Sequence, residues 1–135
     1  MQFKTFLISA FALALLVFSG CNSDDEMVST NTVTISILEP TDGSVVSDAS
    51  MVHIHITLEA TEENHEYEIV LHPEGDTADK IIDLDAHDHD KEITFEQGID
   101  LSSYPSGTEF HLEVEACADH DCAELETASI QFSIP

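Results

Sequence analysis

The sequence predicts an all-β fold, a single antiparallel sandwich of seven strands spanning residues 33–135, and three observations carry that expectation. Apolar residues alternate with polar ones at a period of two in seven separate runs. Turn-forming clusters such as Pro40-Thr41-Asp42-Gly43 and Pro73-Glu74-Gly75 divide the runs. No run shows a convincing helical period, and neither internal repeats nor low-complexity tracts interrupt the pattern. A domain of this length can bury one core of modest size.

The strands follow in order. Val33, Ile35 and Ile37 mark the inner face of the first. In the second, Val52, Ile54, Ile56 and Leu58 alternate with His53, His55, Thr57 and Glu59, so both histidines should point outward. Tyr67, Ile69 and Leu71 mark the third, Ile82 and Leu84 a short fourth, and Ile93 and Phe95 the fifth. Phe110, Leu112, Val114 and Ala116 line the sixth, and Ile130, Phe132 and Ile134 the seventh.

Seven short strands with this spacing suit a two-sheet sandwich, and the stretch Leu101 to Ala116 makes the likeness more specific. Its Tyr104-Pro105-Ser106-Gly107-Thr108 turn leading into Phe110-His111-Leu112-Glu113-Val114 resembles the entry to the sixth strand of fibronectin type III domains. The resemblance implies an immunoglobulin-like sandwich. Phe110 stands where that family usually has tyrosine, leaving the corner hydroxyl either absent or supplied by Tyr104. Without tryptophan or a cysteine pair placed to bridge the sheets, antibody-type domains are disfavoured.

Residues 1–20 read differently. Lys4 precedes an uninterrupted apolar and small run, Phe6 to Phe18, the length of a secretory h-region and short of the roughly 20 residues a membrane span needs. Val17-Phe18-Ser19-Gly20-Cys21 then resembles the lipobox of bacterial lipoproteins, which implies cleavage before Cys21 and acylation of it, palmitate included. Asn22-Ser23-Asp24-Asp25-Glu26 is similar to the acidic export signal of Bacteroidetes-type surface lipoproteins. Residues 21–32 would form an acidic tether, and the expected address is the outer membrane, lipid-anchored and facing the cell surface.

Charge narrows the partners. The chain carries a net charge of −25, and loss of Lys4 with the signal leaves 28 acidic residues against Lys80 and Lys91, or −26. Such a field repels phosphate backbones and anionic headgroups, so nucleic acid is excluded as a partner and cations are favoured. A monomer is expected.

Topology joined to composition locates the candidate chemistry. In a seven-strand sandwich the loops after the second, fourth and sixth strands share one pole with the N-terminal entry. Here they hold His65, His87, His89 and His120, with Asp88 and Asp119 beside them. Imidazole and carboxylate suit zinc or copper(II), and these six residues are the candidate ligands, although no recognised zinc-site spacing is present. Cys117 and Cys122 flank His120; outside the cytoplasm a disulfide is the expected state, with thiolate ligation the alternative.

Other positions are weaker candidates. His72 and His111 should face each other across paired strands and form a second candidate site. The i, i+2 pair His53 and His55 reads mainly as exposed strand surface, and Asp83, Asp85, Asp88, Asp90 and Glu92 lack the EF-hand glycine and bidentate glutamate. No nucleophile motif, phosphate-cradling loop or helical zinc-hydrolase signature appears, so an enzyme is not expected. The expectation is a membrane-anchored, non-enzymatic binding or accessory module that takes a divalent metal. The alternative is an interaction module for a protein or glycan with no metal role.

Overall fold

The computed structural model describes residues 31–135, so the signal segment, Cys21 and most of the tether lie outside the described residues. Eight strands and no helix occur among the described residues: β1 (Val33–Glu39), β2 (Ser44–Val45), β3 (Val52–Ala60), β4 (Glu66–Pro73), β5 (Ile82–His87), β6 (Glu92–Ile99), β7 (Glu109–Cys117) and β8 (Leu125–Ser133). They form a three-stranded sheet in the order β1-β3-β6 and a five-stranded sheet in the order β2-β8-β7-β4-β5.

The period-two pattern explains how the sheets meet. Ile54, Ile56 and Leu58 of β3 are fully buried, as are Ile69 and Leu71 of β4 and Leu112 and Val114 of β7. These residues belong to one core cluster drawn from both sheets, which therefore pack face to face. Each such side chain contributes roughly 1.5–3 kcal/mol on burial. The antiparallel register sets equivalent residues opposite one another, Ile69 against Val114 and Leu71 against Leu112.

All seven expected strands are present, but the expectation of seven strands, all antiparallel, needs correction. The chain leaves β1 through a cis Glu39-Pro40 bond and turns at Gly43, whose φ of +68° favours a residue without Cβ. This turn carries Ser44 and Val45 across to the second sheet, where they pair in parallel with Phe132 and Ser133. A two-residue strand is too short to show a period, so alternation could not reveal it.

Two further differences bear on the site. His87, expected in a loop, closes β5, because Asp83, Asp85 and His87 continue the outward face opposite Ile82, Leu84 and Ala86. Asn31 and Thr32, expected in the tether, are built into the domain. Buried Asn31 donates from Nδ2 to the carbonyls of Glu63 (2.6 Å) and Ala118 (2.8 Å) and accepts from the Glu62 amide (2.9 Å). At the sandwich corner, Tyr104 packs edge-on against Phe110 and donates its hydroxyl to Asp79.

Candidate metal centre

Three connections meet at one end of the sandwich, and two buried asparagines bind them together. Asn31 ties the chain entry to the β3–β4 and β7–β8 connections through Glu63 and Ala118. Asn64 donates from Nδ2 to the carbonyls of Asp90 (2.7 Å) and Lys91 (3.1 Å), tying the β3–β4 connection to the β5–β6 one. The Asp88 amide adds a bond to the His65 carbonyl. Each bond satisfies a backbone group that would otherwise be stranded away from water. The loops are thereby held against one another.

This lacing brings four imidazoles together. His65 continues the inward face of Tyr67, Ile69 and Leu71 by one step and is 6% exposed. Its ring centroid lies 4.2 Å from that of His120 and 5.3 Å from that of His89. His89 and His120 are 5.5 Å apart, and His87 is 4.6 Å from His89 and 6.3 Å from His120. His87 and His89 approach Nε2 to Nε2 at 3.0 Å, which requires one of the two to donate.

The carboxylate within this cluster is Glu63. Its oxygens stand 3.4 Å from His89 Nδ1 and 4.0 Å from His65 Nε2. Donor atoms of Glu63, His65 and His89 all lie within 4.8 Å of one another. Ligands on a tetrahedral ion at about 2.0–2.1 Å stand roughly 3.4 Å apart, so modest side-chain rotation would close these three on one ion. His120 is exposed at the tip of its loop with its ring beside those of His65 and His89, and His87 contacts the His89 ring.

Electrostatics favour the ligating form of His65. Burial, then the neighbouring imidazole of His120, hold it below its usual titration range; Glu63 opposes them, and His89 and His87 add to the depression. A neutral imidazole is the form that binds metal. Its Nδ1 is buried without a hydrogen-bond partner, as is Asn64 Oδ1. An orphaned buried polar atom costs about 1–3 kcal/mol, which bespeaks a site built for something besides stability.

Asp88 and Asp119, expected as ligands, each accept one hydrogen bond from their own loop. Asp88 Oδ1 accepts from the Asp90 amide at 2.9 Å, and Asp119 Oδ1 accepts from the Ala123 amide at 2.8 Å. After burial, the Asp88 charge is the second cause that raises the Tyr67 phenol. Both carboxylates therefore shape turns, a common use of aspartate in tight loops. Glu63, not among the expected ligands, stands two residues before His65 in the sequence, a spacing that signals it.

Cys117 and Cys122 form a disulfide with Cα atoms 4.8 Å apart, closing the loop that carries His120. Their sulfurs are thus unavailable as thiolate ligands, and Glu66 Oε2 lies 3.7 Å from Cys122 Sγ. Beside the cluster, Asn31, Glu62, Glu63, His65, Asp119 and His120 line much of an open concavity of about 410 Å³. Elsewhere, His53 pairs with Glu39 at 2.8 Å and His55 lies 3.4 Å from Glu96, each histidine with its own glutamate.

No protein-family model matches the chain, and no curated protein matches it.

Proposed function

We propose that this chain is a membrane-anchored, non-enzymatic accessory lipoprotein whose immunoglobulin-like domain binds a divalent metal, zinc or copper(II), at the laced end of the sandwich. One observation carries the reading: His65, His87, His89 and His120 gather at one end of the sandwich, with donor atoms of Glu63, His65 and His89 within 4.8 Å. Neighbouring imidazoles disfavour one another's protonation, which keeps the neutral, metal-binding form available. A bound cation draws on the surrounding negative field.

The lipid anchor and cell-surface address rest on the lipobox resemblance at Val17 to Cys21 and the acidic run Asn22 to Glu26. Asn31 supports the link between anchor and site, since it is hydrogen-bonded to the connections that carry Glu63 and His120. Ten residues separate Cys21 from Asn31, a reach of at most about 35 Å. The metal-binding end would therefore stay near the membrane. The alternative is an interaction module that recognises a protein or glycan through a sheet face or edge, with no metal role.

Calorimetric titration with zinc and with copper(II) tests the proposal. The chain should bind at micromolar concentration or tighter, and the triple substitution His87→Ala, His89→Ala and His120→Ala should abolish binding at this end. Unchanged affinity in the triple variant would sink the metal reading.

A further inference from the structure

A second histidine pair lies on the outer face of the five-stranded sheet, seven residues along β4 from His65, or about 23 Å. His72 of β4 and His111 of β7 are direct cross-strand partners in the antiparallel register. Both occupy central strands of that sheet, the most rigid support the fold offers. Their ring centroids are 5.4 Å apart. Two imidazoles holding one tetrahedral ion through Nε2 at about 2.0–2.1 Å place their centroids roughly 5 Å apart by simple trigonometry.

The hydrogen-bonding of the two rings points the same way. His72 is 7% exposed, and its Nδ1 lies 2.8 Å from the Pro73 carbonyl. A carbonyl only accepts, so Nδ1 carries the proton and Nε2 keeps its lone pair. His111 turns Nδ1 toward the Glu74 carboxylate at 3.6 Å, and its Nε2 is buried with no partner. Glu74 is itself held by the Gln131 side chain at 3.1 Å. Each ring thus turns its Nδ1 to an oxygen acceptor and leaves Nε2 free. That is the arrangement by which outer-shell groups orient metal-binding histidines.

The surroundings are suited to a cation. Glu68, Val70, His72, Glu113 and Glu115 line a concavity of about 230 Å³, bordered by Thr77 and Lys80 of the β4–β5 connection. Lys80 is occupied by Asp83 at 2.8 Å and Glu68 at 3.7 Å, leaving Glu113 and Glu115 uncompensated by it. Glu113 lies two residues from His111 on the same face of β7.

We propose that His72 and His111 form a second site for a borderline divalent cation, zinc or copper(II), bound through both Nε2 atoms, with the open positions taken by water or Glu113. It stands independently of the loop cluster. Equilibrium dialysis of the full chain in detergent against zinc should give two ions per chain. The triple substitution His65→Gln, His89→Gln and His120→Gln should leave one, and adding His111→Gln should leave none. Glu74→Gln should weaken the remaining site by roughly tenfold. Because replacing buried His72 risks misfolding, the second measurement uses no substitution at this site: in the triple variant, substoichiometric copper(II) should broaden the ring resonances of His72 and His111 before those of His53 and His55.

Retention of the last ion after His111→Gln, or equal broadening at all four rings, would overturn this site. A wild-type chain binding a single ion that the triple variant loses would overturn it also and leave the loop centre intact. A single ion lost with His111→Gln but kept by the triple variant would instead overturn the loop centre and support this one.

Discussion

At the scale of single residues, His65 shows how one side chain can serve the core and the site at once. It takes the last inward step of the β4 alternation, so burial comes with its position, and burial with three neighbouring rings depresses its affinity for protons. In the unfolded chain the same imidazole titrates near pH 6.5. Between that value and the lower folded value the unfolded state binds more protons, so stability falls as pH falls through this window. Below the folded value the loss is complete. Urea unfolding of chelator-treated protein at a series of pH values should show this slope, and His65→Gln should flatten it. Identical slopes in both proteins would refute the account.

Glu63, Asp88 and Asp119 illustrate which side chains can be read locally. A short aspartate two residues before an amide tends to close on its own backbone, which is what Asp88 does with Asp90. The longer Glu63 side chain reaches His65 and His89 because Asn31 and Asn64 bring the loops together. Residue types suggested a cation-binding chemistry; which carboxylate stands nearest the histidines depends on hydrogen bonds between loops far apart in sequence.

At the scale of elements, the strand faces were legible because burial alternates with the pleat. Their pairing adds what alternation cannot show. Across the outer face of β5, β4 and β7, register places Asp85 opposite Glu68 and Glu68 opposite Glu115. Like charges directly opposite one another destabilise a sheet by about 0.2–1 kcal/mol per pair. Glu115→Gln should therefore raise stability by an amount in that range, measured by urea unfolding at neutral pH and low salt. A loss of stability would mean that Glu115 has a favourable partner on this face. Glu68 and Glu115 of this row line the concavity that His72 also borders, where their negative charge would attract cations.

The disulfide belongs to this scale too. It closes only a short loop, so on chain-entropy grounds it contributes about 2 kcal/mol, less than a long loop would. Its larger effect is to hold the His120 connection in one shape between β7 and β8.

For the whole molecule, charge and anchorage act together. A net charge of −25 repels itself and any anionic surface, so the proposed attachment to a membrane cannot rest on electrostatics. Acyl chains would supply it, at about 0.8 kcal/mol per buried methylene. No helix among the described residues is long and apolar enough to cross a membrane. Cys21→Ser should abolish labelling by radioactive palmitate and release the chain from the membrane fraction. Persistent labelling would disprove acylation at this residue.

Seven strands, their inner faces and the grouping of His65, His87, His89 and His120 at one end all followed from order along the chain. Alternation is a local property, and it fixes which side each residue presents. The chain's crossing to the second sheet at Ser44 and Val45, the inclusion of Asn31 in the domain and the approach of Glu63 to His65 and His89 came only with the folded arrangement. Each depends on hydrogen bonds between segments 26 to 89 residues apart, and no local pattern encodes those.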